Sequence, residues 1–237
     1  MKKLVFICCN CIWLLLGCDT QANNHTPVCN SYNALSYHEF SPNDKVIVKQ
    51  VIISDILTSN ESIKTVIEAN QQGLITKVIA ADEIDNVNVD YSSKSIDYQN
   101  QHFSLNLDKH NNIMAMIDNN KQNIVEFDYD KFGQLINKTD NTTLESTITS
   151  FNYVNNKLSS RSAANEGPCL WLAQFFYNES GWLFESDMTS PYNAADACPI
   201  GVKCFYSEHN QYGDWTSGYC VSGEGITKLK FYRQLEY

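Results

Sequence analysis

An irregular repeat of aromatic residues followed by a glycine constrains the fold of this 237-residue chain more than any other feature. Phe127–Leu135 runs from aromatic residues through a polar turn to a glycine and an apolar residue, and Phe175–Leu183 repeats this order with the same Tyr-x-x-x-Gly spacing. Phe205–Trp215 is a longer copy, and Phe151–Leu158 is a tighter one in which Asn155-Asn156 provides a two-residue turn. The repeated tyrosines are Tyr129, Tyr153, Tyr177 and Tyr206.

Each copy of the repeat has the composition of one β-hairpin. Alternating aromatic and polar residues build a strand with one buried face, and glycine allows the positive φ that a tight turn requires. Because a single hairpin buries too little surface to be stable in water, each must lie against the next. The sequence therefore predicts a mainly β fold, an antiparallel meander of successive hairpins with loosely repeated Tyr-x-x-x-Gly turns.

This pattern resembles the tyrosine-aspartate repeats of bacterial wall- and toxin-associated β-sheet proteins. Only Tyr129-Asp130 keeps the Tyr-Asp pair, so the resemblance implies local hairpin geometry and no toxin or carbohydrate activity. An aromatic stripe is more often core than a ligand platform. The candidates for an exposed aromatic surface are Trp171, Trp182 and Trp215.

The segment Asn60–Gly73 is ambiguous between helix and strand. Its apolar residues have helical spacing, Asn60 could cap a helix and Gly73 could end one. However, these apolar residues are β-branched, the neighbouring segments favour strands, and Gln71-Gln72-Gly73 has the composition of a hairpin turn. We therefore predict a strand followed by a turn.

The N-terminus has the form of an exported, lipid-modified precursor. Lys2 and Lys3 precede the short apolar run Leu4–Leu16, which leads into Leu16-Gly17-Cys18. This resembles the lipobox of bacterial lipoproteins, in which the peptide is cleaved before a cysteine that carries diacylglycerol. The resemblance implies a signal peptide over 1–17, lipidation of Cys18 and acylation of its new amine, with palmitate as a usual chain. The alternative, an uncleaved transmembrane helix, needs about 20 apolar residues.

Compartment and domain organisation follow from this anchor. Asp19 resembles the signal that keeps some Gram-negative lipoproteins in the inner membrane, which implies the periplasmic face of that membrane; the alternative is an ordinary tether residue. Residues 18–33 are polar and predict a flexible tether, and residues 34–237 a single β-rich periplasmic domain. Removing Lys2 and Lys3 changes the net charge from −10 to −12. Such a surface repels nucleic acid and anionic headgroups, so the membrane is contacted through the lipid.

Cysteine usage fits an oxidising compartment. The mature chain keeps five cysteines besides Cys18, an odd number that allows two disulfides and leaves one thiol. Cys198 and Cys204 enclose a turn and could close a small loop, with Cys169–Cys220 as the second bridge. Cys29 is the candidate for the free thiol, or for a staple between tether and domain.

Neither a metal nor a cofactor is predicted. After the predicted signal peptide, the chain has no Cys-x-x-Cys and no histidine near Cys198. The acidic segment Asp82–Asp90 predicts a solvated loop; the alternative, a calcium site, lacks the glycine and the closing glutamate of an EF-hand loop. Motifs for zinc peptidases, serine hydrolases, phosphate binding and dinucleotide binding are missing. The histidines are scattered and predict no catalytic site: His25, His38, His102, His110 and His209.

Two classes of function remain. The first is a non-enzymatic, lipid-anchored module that contacts an envelope protein or a glycan through an exposed sheet edge or an aromatic face. The second is an envelope hydrolase or small-ligand-binding protein with a site in the Cys169–Cys220 region, because eight of the ten glycines lie at or beyond Gly133. We favour the first.

Several features together are similar to the YnfC-like lipoproteins, a Gram-negative family of uncharacterised function. They are the lipobox with Asp19, the segment His38–Pro42, Val48-Lys49 at the first long strand, Tyr129-Asp130-x-x-Gly133 and the aromatic closing strand that ends at Tyr237. The similarity covers most of the mature chain and implies no mechanism.

Overall fold

The computed structural model describes residues 46–80, 86–98, 100–141, 146–165, 170–189, 201–223 and 225–237. This part of the chain forms sixteen β-strands. It contains no helix that is long and apolar enough to cross a membrane. The strands are β1 (Lys49–Ile56), β2 (Glu61–Ala69), β3 (Ile75–Ile79), β4 (Val87–Asp90), β5 (Ser95–Tyr98), β6 (Gln101–Leu107), β7 (Ile113–Ile117), β8 (Asn123–Tyr129), β9 (Leu135–Asp140), β10 (Thr147–Val154), β11 (Lys157–Asn165), β12 (Leu170–Tyr177), β13 (Leu183–Thr189), β14 (Val202–His209), β15 (Trp215–Ser222) and β16 (Thr227–Glu236).

Every strand pairs antiparallel with its neighbours in sequence, and β1 pairs with β16 to close a barrel. The prediction of a mainly β meander of successive hairpins is therefore confirmed. At the closing seam, β1 and β16 pair in continuous register from Lys49↔Glu236 to Ile56↔Leu229. Arg233 on β16 donates from Nε to Gln50 Oε1 on β1 at 2.9 Å, and both side chains are buried. The seam is thus held by a ladder and by a buried polar contact.

Because all pairs are antiparallel, successive connections alternate between two ends of the barrel. One end, which we name the tyrosine end, carries the turns at 70–74, 91–94, 108–112, 130–134, 155–156, 178–182 and 210–214. The other, which we name the opposite end, carries the connections after β1, β3, β5, β7, β9, β11, β13 and β15. The described turns at that end include 57–60 and 118–122.

One hydrogen-bonding plan recurs in the turns that start with an Asn or Asp. At 130–134, the backbone N–H of Asp130 donates to the Gln134 carbonyl, Gly133 donates back to the Asp130 carbonyl, and Asp130 Oδ1 accepts from Phe132 and Gln134. The fourth residue of each turn has positive φ, which suits glycine. The residues that start such turns are Asn70, Asp108, Asp118, Asp130, Asn178 and Asn210.

The Tyr-x-x-x-Gly spacing therefore detects only part of the repeat. Its glycine is the positive-φ residue of the turn, but Asn111 (φ 64°) and Lys121 (φ 62°) hold the same position in the turns at 108–112 and 118–122. Asn tolerates this conformation better than most residues. The defining residue of the repeat is thus the Asn or Asp that starts the turn, because its side chain replaces the backbone as acceptor.

A ladder of side chains joins successive hairpins at the tyrosine end. The residue before or within each turn reaches back to a carbonyl at the start of a preceding strand. Tyr129 donates to the Ile113 carbonyl at 2.7 Å, Tyr153 to Leu135 at 3.0 Å and Tyr177 to Leu158 at 2.9 Å, while His209 Nε2 lies 2.7 Å from the Leu183 carbonyl. We name Tyr129, Tyr153, Tyr177 and His209 the tyrosine ladder. Burial raises the pKa of Tyr129, so its phenol stays a donor.

Tyr206, the fourth tyrosine of the sequence repeat, lies outside this ladder. Its hydroxyl lies 3.1 Å from the Ser186 hydroxyl, and its ring packs in the core near Trp215 and Phe231. The position before the last Asx turn belongs instead to His209. The longer third copy of the repeat thus breaks the spacing that the first two copies set.

Residues that alternate along the strands fill the barrel with one continuous core. The core combines aliphatic residues of the first half with aromatic residues of the second, including Phe127, Phe151, Phe175, Trp215 and Phe231. The aromatic stripe is therefore mostly core, as alternation with polar residues predicts. Trp215 is only 7% exposed, so it cannot contribute to an exposed surface.

The structure settles two segments where the sequence was ambiguous or misread. β2 with its turn at 70–74 confirms the strand prediction for Asn60–Gly73. The prediction of a loop over Asp82–Asp90 is wrong in its second half, because Val87–Asp90 forms β4 with Val87 and Val89 buried; residues 81–85 lie outside the described residues. The acidic residues of this segment made the alternation of its two inward-facing valines hard to recognise in the sequence.

Candidate functional site

Most of the predicted site residues lie outside the described residues. These are the predicted lipidation site Cys18, the tether cysteine Cys29, and two candidate disulfide cysteines, Cys169 and Cys198. Lipidation, the tether and the domain boundaries therefore stay predictions.

The two remaining cysteines form one disulfide, Cys204–Cys220, which corrects the predicted pairings. Cys198–Cys204 and Cys169–Cys220 were expected, but Cys204 and Cys220 stand directly opposite each other on β14 and β15, with Cα atoms 4.0 Å apart. The sequence suggested a short loop closed by Cys198 and Cys204. Strand register instead brings together Cys204 and Cys220, which are sixteen residues apart in sequence. Both sulfur-bearing side chains are buried in the core, so this disulfide is structural.

Catalytic side chains do not converge in the part of the chain that the structure describes. His102 Nδ1 lies 2.8 Å from Asp97 Oδ1, but both side chains are about 60% exposed on neighbouring strands. His209 serves the tyrosine ladder and stacks on Trp182 with ring centroids 5.3 Å apart. No group of three or more His, Cys, Asp or Glu side chains suited to a metal ion occurs among these residues.

Three glycines of the Cys169–Cys220 region have structural roles. Gly181 and Gly213 occupy the positive-φ positions of their turns. Gly218 lies in β15 where a Cβ would stand 2.3 Å from the Phe205 carbonyl oxygen. Turn geometry and close strand packing therefore explain these glycines without a ligand.

Exposed aromatic side chains gather on the outer surface of β12–β16. We name this set the outer aromatic face: Phe176, Phe184, Phe205, Tyr219 and Tyr232. Four of its rings are between 38% and 47% exposed, and Phe205 is partly buried beneath its stacking partner. The rings of Phe205 and Tyr219 stack with centroids 5.2 Å apart. This is the largest concentration of exposed aromatic residues in the described part of the chain.

Strand register builds this face. Phe176 pairs with Glu185, Glu185 with Phe205, Phe205 with Tyr219, and Tyr219 with Lys230, so one outward row crosses five strands. A bulge after Phe176 adds a residue to β13 between the paired positions, and Phe184 is the residue it exposes. The row therefore combines three rings with two charged side chains.

Charged groups beside the rings are held in a defined arrangement. Lys203 Nζ lies 3.0 Å from Glu185 Oε1 and 3.6 Å from Asp187 Oδ2. The hydrogen bond to Glu185, together with the two negative charges, raises the pKa of Lys203. The face thus combines apolar ring surfaces with carboxylate acceptors and an ammonium donor at fixed positions.

The sequence indicated the wrong aromatic residues for this surface. Trp215 belongs to the core, Trp182 is partly buried against His209, and the side chain of Trp171 lies outside the description. The signal that could have identified this surface is the alternation of side chains along a strand. Because Tyr177 faces inward, its neighbour Phe176 must face outward. Bulges after Phe176 and Tyr206 change which residues face outward further along these strands. For that reason, the positions of the tryptophans were a poor guide to the exposed aromatic residues.

The closed barrel excludes one of the two contact surfaces that the sequence predicted. An exposed sheet edge was one of them, but β1 pairs with β16 over eight residue pairs, so no free edge remains among the sixteen described strands. Of the two predicted surfaces, the aromatic one is present.

Comparisons with known proteins assign no family. No model of a known protein family matches the chain, and no curated protein is similar enough to count as a relative. Among solved structures, the chain is similar to one described as "Crystal Structure of TcdB2-TccC3-Cdc42", with 10% sequence identity and a TM-score of 0.28. That similarity covers 72% of this chain and 10% of the other.

Proposed function

We propose that this protein is a lipid-anchored, non-enzymatic binding module of the bacterial envelope and that the outer aromatic face binds a glycan. The observation that carries the proposal is the row of exposed rings and paired charges across β12–β16. Exposed apolar surface of this kind is uncommon on monomers unless it contacts something.

A glycan fits the chemistry of this face. Sugar rings present apolar C–H surfaces, which pack on aromatic rings, and hydroxyl groups, which need polar partners. Phe205 and Tyr219 offer stacked rings, and Glu185 and Asp187 lie beside them with acceptor oxygens. A purely apolar protein partner would have to desolvate these charges without compensation, which costs free energy. The combination of rings and charges therefore favours a sugar ligand over an apolar helix.

Anchoring through Cys18 supplies the location of the proposed function. The lipobox resemblance and the polar tether over 18–33 would hold the barrel near a membrane, and stable anchoring takes more than one acyl chain. Cys18→Ala is expected to abolish lipidation and leave the precursor uncleaved. Radioactive palmitate labelling measures this, and normal labelling of the variant would contradict the anchor.

Glycan binding is tested by sedimentation of the soluble domain with purified peptidoglycan. Tyr219→Ala and Phe184→Ala each remove an exposed ring and should weaken sedimentation by roughly tenfold, since a stacking contact contributes about 1 to 1.5 kcal/mol. Phe132→Ala is the matched control, because Phe132 is 59% exposed in a turn away from the face.

Two results would count against the glycan. If Phe132→Ala weakens sedimentation as much as Tyr219→Ala, the rings act through general hydrophobicity. If peptidoglycan does not sediment the wild-type domain, while crosslinking through a probe at position 219 captures an envelope protein, the face binds protein.

A further inference from the structure

The two most exposed large apolar side chains in the described part of the chain lie at neighbouring turns of the tyrosine end. Val154, next to the turn at 155–156, is 60% exposed, and Phe132, in the turn at 130–134, is 59% exposed. The two turns are two strand spacings apart around the barrel, about 10 Å. Neither turn needs an apolar side chain for its backbone geometry, so two apolar tips side by side indicate a contact surface.

Exposed lysines lie along the same stretch of the tyrosine end. Lys94, Lys109 and Lys131 belong to three successive turns, and all three side chains are exposed. Lys131 Nζ lies 4.9 Å from the centroid of the Phe132 ring. A long cationic side chain beside an exposed ring suits the boundary between water and lipid headgroups, because both have an apolar body. We name this set the turn-tip patch: Lys94, Lys109, Lys131, Phe132 and Val154.

The carboxylates of these turns are directed at their own backbone. Asp90, Asp108 and Asp130 each accept hydrogen bonds from backbone N–H groups two to four residues further along the chain. Asp108 and Asp130 are partly buried at the start of their turns, whereas the lysines that follow them directly are exposed. A surface that approaches the tips of these two turns therefore meets the lysines first.

The chain enters the barrel at the tyrosine end. The backbone N–H of Val48 donates to the Glu236 carbonyl, and β1 runs from there toward the turn at 57–60. Cys18, the proposed site of lipidation, precedes the barrel by about 28 residues, and a flexible chain of that length has an end-to-end distance of roughly 30 Å. The tyrosine end is therefore the end from which the tether leads to the membrane.

The overall charge makes the position of these lysines informative. With a net charge of −10, most of the surface is repelled by anionic lipid. A lysine close to an anionic surface is attracted to it, and this attraction falls off within about 10 Å. The barrel therefore approaches such a surface most favourably with the turn-tip patch in front.

We propose that the turn-tip patch docks the barrel on the anionic lipid surface of the membrane that holds the chain. Phe132 and Val154 pack among the headgroups, and the lysines contact lipid phosphates. The opposite end then faces away from the membrane, and the outer aromatic face lies on the side wall. The proposal rests on the anchoring part of the proposed function and adds the orientation of the barrel to it.

The test measures which end of the barrel touches lipid. An N-terminal histidine tag and a nickel-chelating lipid hold Asp19–Tyr237 on vesicles, so the result does not depend on lipidation. The vesicles contain phosphatidylcholine with or without phosphatidylglycerol, and brominated acyl chains quench any tryptophan that enters the lipid. Phe132→Trp places a probe in the patch. Leu57→Trp is the matched control, because Leu57 is 41% exposed in a turn at the opposite end.

The expected result is quenching of the added tryptophan at position 132 and not at position 57, after subtraction of the signal from the unsubstituted chain. Quenching should require phosphatidylglycerol. Lys109→Gln and Lys131→Gln should each weaken sedimentation of the untagged chain with these vesicles roughly fivefold. Lys121→Gln changes an exposed lysine at the opposite end and should sediment like the wild type.

Several outcomes would overturn the proposal. Equal quenching at positions 132 and 57 means that the barrel has no preferred end, and quenching at position 57 alone assigns the contact to the opposite end. No quenching at position 132 on any vesicle excludes insertion of the patch. Quenching that persists without phosphatidylglycerol and in both lysine variants excludes an anionic-lipid surface. If quenching is as expected but Cys18→Ala is labelled normally with palmitate, the patch is supported and the anchor at Cys18 is not.

Discussion

The two ends of the barrel are built from the same hairpin unit. They differ in the side chains that join neighbouring turns and in how far the inward-facing residues are buried. At the tyrosine end, Asx turns are joined by the tyrosine ladder and the inward residues are sealed. Toward the opposite end, the inward positions include Lys138, Asp140 and Thr149, and several are partly exposed. The same Asx turn occurs there at Asp118, so turn type alone does not make the difference.

The comparison separates what stabilises a hairpin from what joins hairpins together. Turn hydrogen bonds act within one unit, while ladder hydrogen bonds run from one unit to a preceding one, sixteen to twenty-six residues away. The end without such a ladder among its described residues contains polar inward groups such as Lys138.

The largest expected effect tests glycines at the two ends. Gly213→Val at the tyrosine end should lower the free energy of unfolding by about 3–5 kcal/mol, because a β-branched residue is strained at φ 85° and its Cβ would stand 2.3 Å from Nε1 of the Trp182 ring, which stacks on His209. Gly225→Val at the opposite end has φ 76° and open space, so about 1–3 kcal/mol is expected. Urea denaturation measures both, and an equal loss would remove the distinction between the ends.

The disulfide gives the next effect. Cys204 and Cys220 each lie two residues from the opposite-end limit of their strands, so replacing both with alanine should loosen that end. Opening a loop of this length costs about 3 kcal/mol in the chain-entropy description. Hydrogen exchange should accelerate in β14 and β15 more than in the turns at the tyrosine end. Uniform acceleration would show that the barrel opens as one unit.

The ladder itself should contribute a smaller amount. Tyr153→Phe removes the donor to the Leu135 carbonyl, and Tyr177→Phe removes the donor to Leu158. Each should cost about 1–2 kcal/mol. Tyr219→Phe is the matched control on the outer surface and should change stability by less than about 0.5 kcal/mol. If all three variants change the free energy of unfolding by the same amount, the hydrogen bonds of the ladder do not contribute to stability.

The smallest effect concerns pH at the tyrosine end. Although partial burial opposes ionisation of Asp108, hydrogen bonds from Asn112 and His110 lower its pKa on balance. A lowered folded-state pKa gives stability that is present above the unfolded value of about 3.9 and is lost as pH falls through the folded value. Asp108→Asn keeps the turn, as Asn70 and Asn178 do, and should flatten this acid dependence. If the variant loses stability at low pH as steeply as the wild type, Asp108 is not a cause of the acid dependence.

The hairpin succession was predictable from sequence because its determinants are local. Alternation, Asx residues and positive-φ glycines all act within one hairpin, and the prediction for Asn60–Gly73 succeeded on those grounds. The turn at 118–122 was less visible because Lys121 takes the place of glycine. Local signals identify the unit even when one position departs from it.

Closure and side-chain pairing were not predictable because they depend on register between distant positions. Nothing near Cys204 indicates that Cys220 lies opposite it, and nothing near Gln50 indicates Arg233. Bulges add to this difficulty, since each one shifts the inward and outward positions that follow. The outer aromatic face and the inward-facing Lys138 both depend on that accumulated register, so neither could be read from spacing.

The seam between β1 and β16 has a consequence for how the chain reaches its native state. Every other strand pair joins sequence neighbours and can form as soon as its hairpin exists, which favours rapid local folding. β1 is synthesised first and its partner last, so β1 keeps unsatisfied backbone groups until almost the whole chain is available. Such groups invite pairing with other molecules. A chain truncated before β16 should therefore aggregate through two open edges, while the fifteen remaining strands could still form their local hairpins.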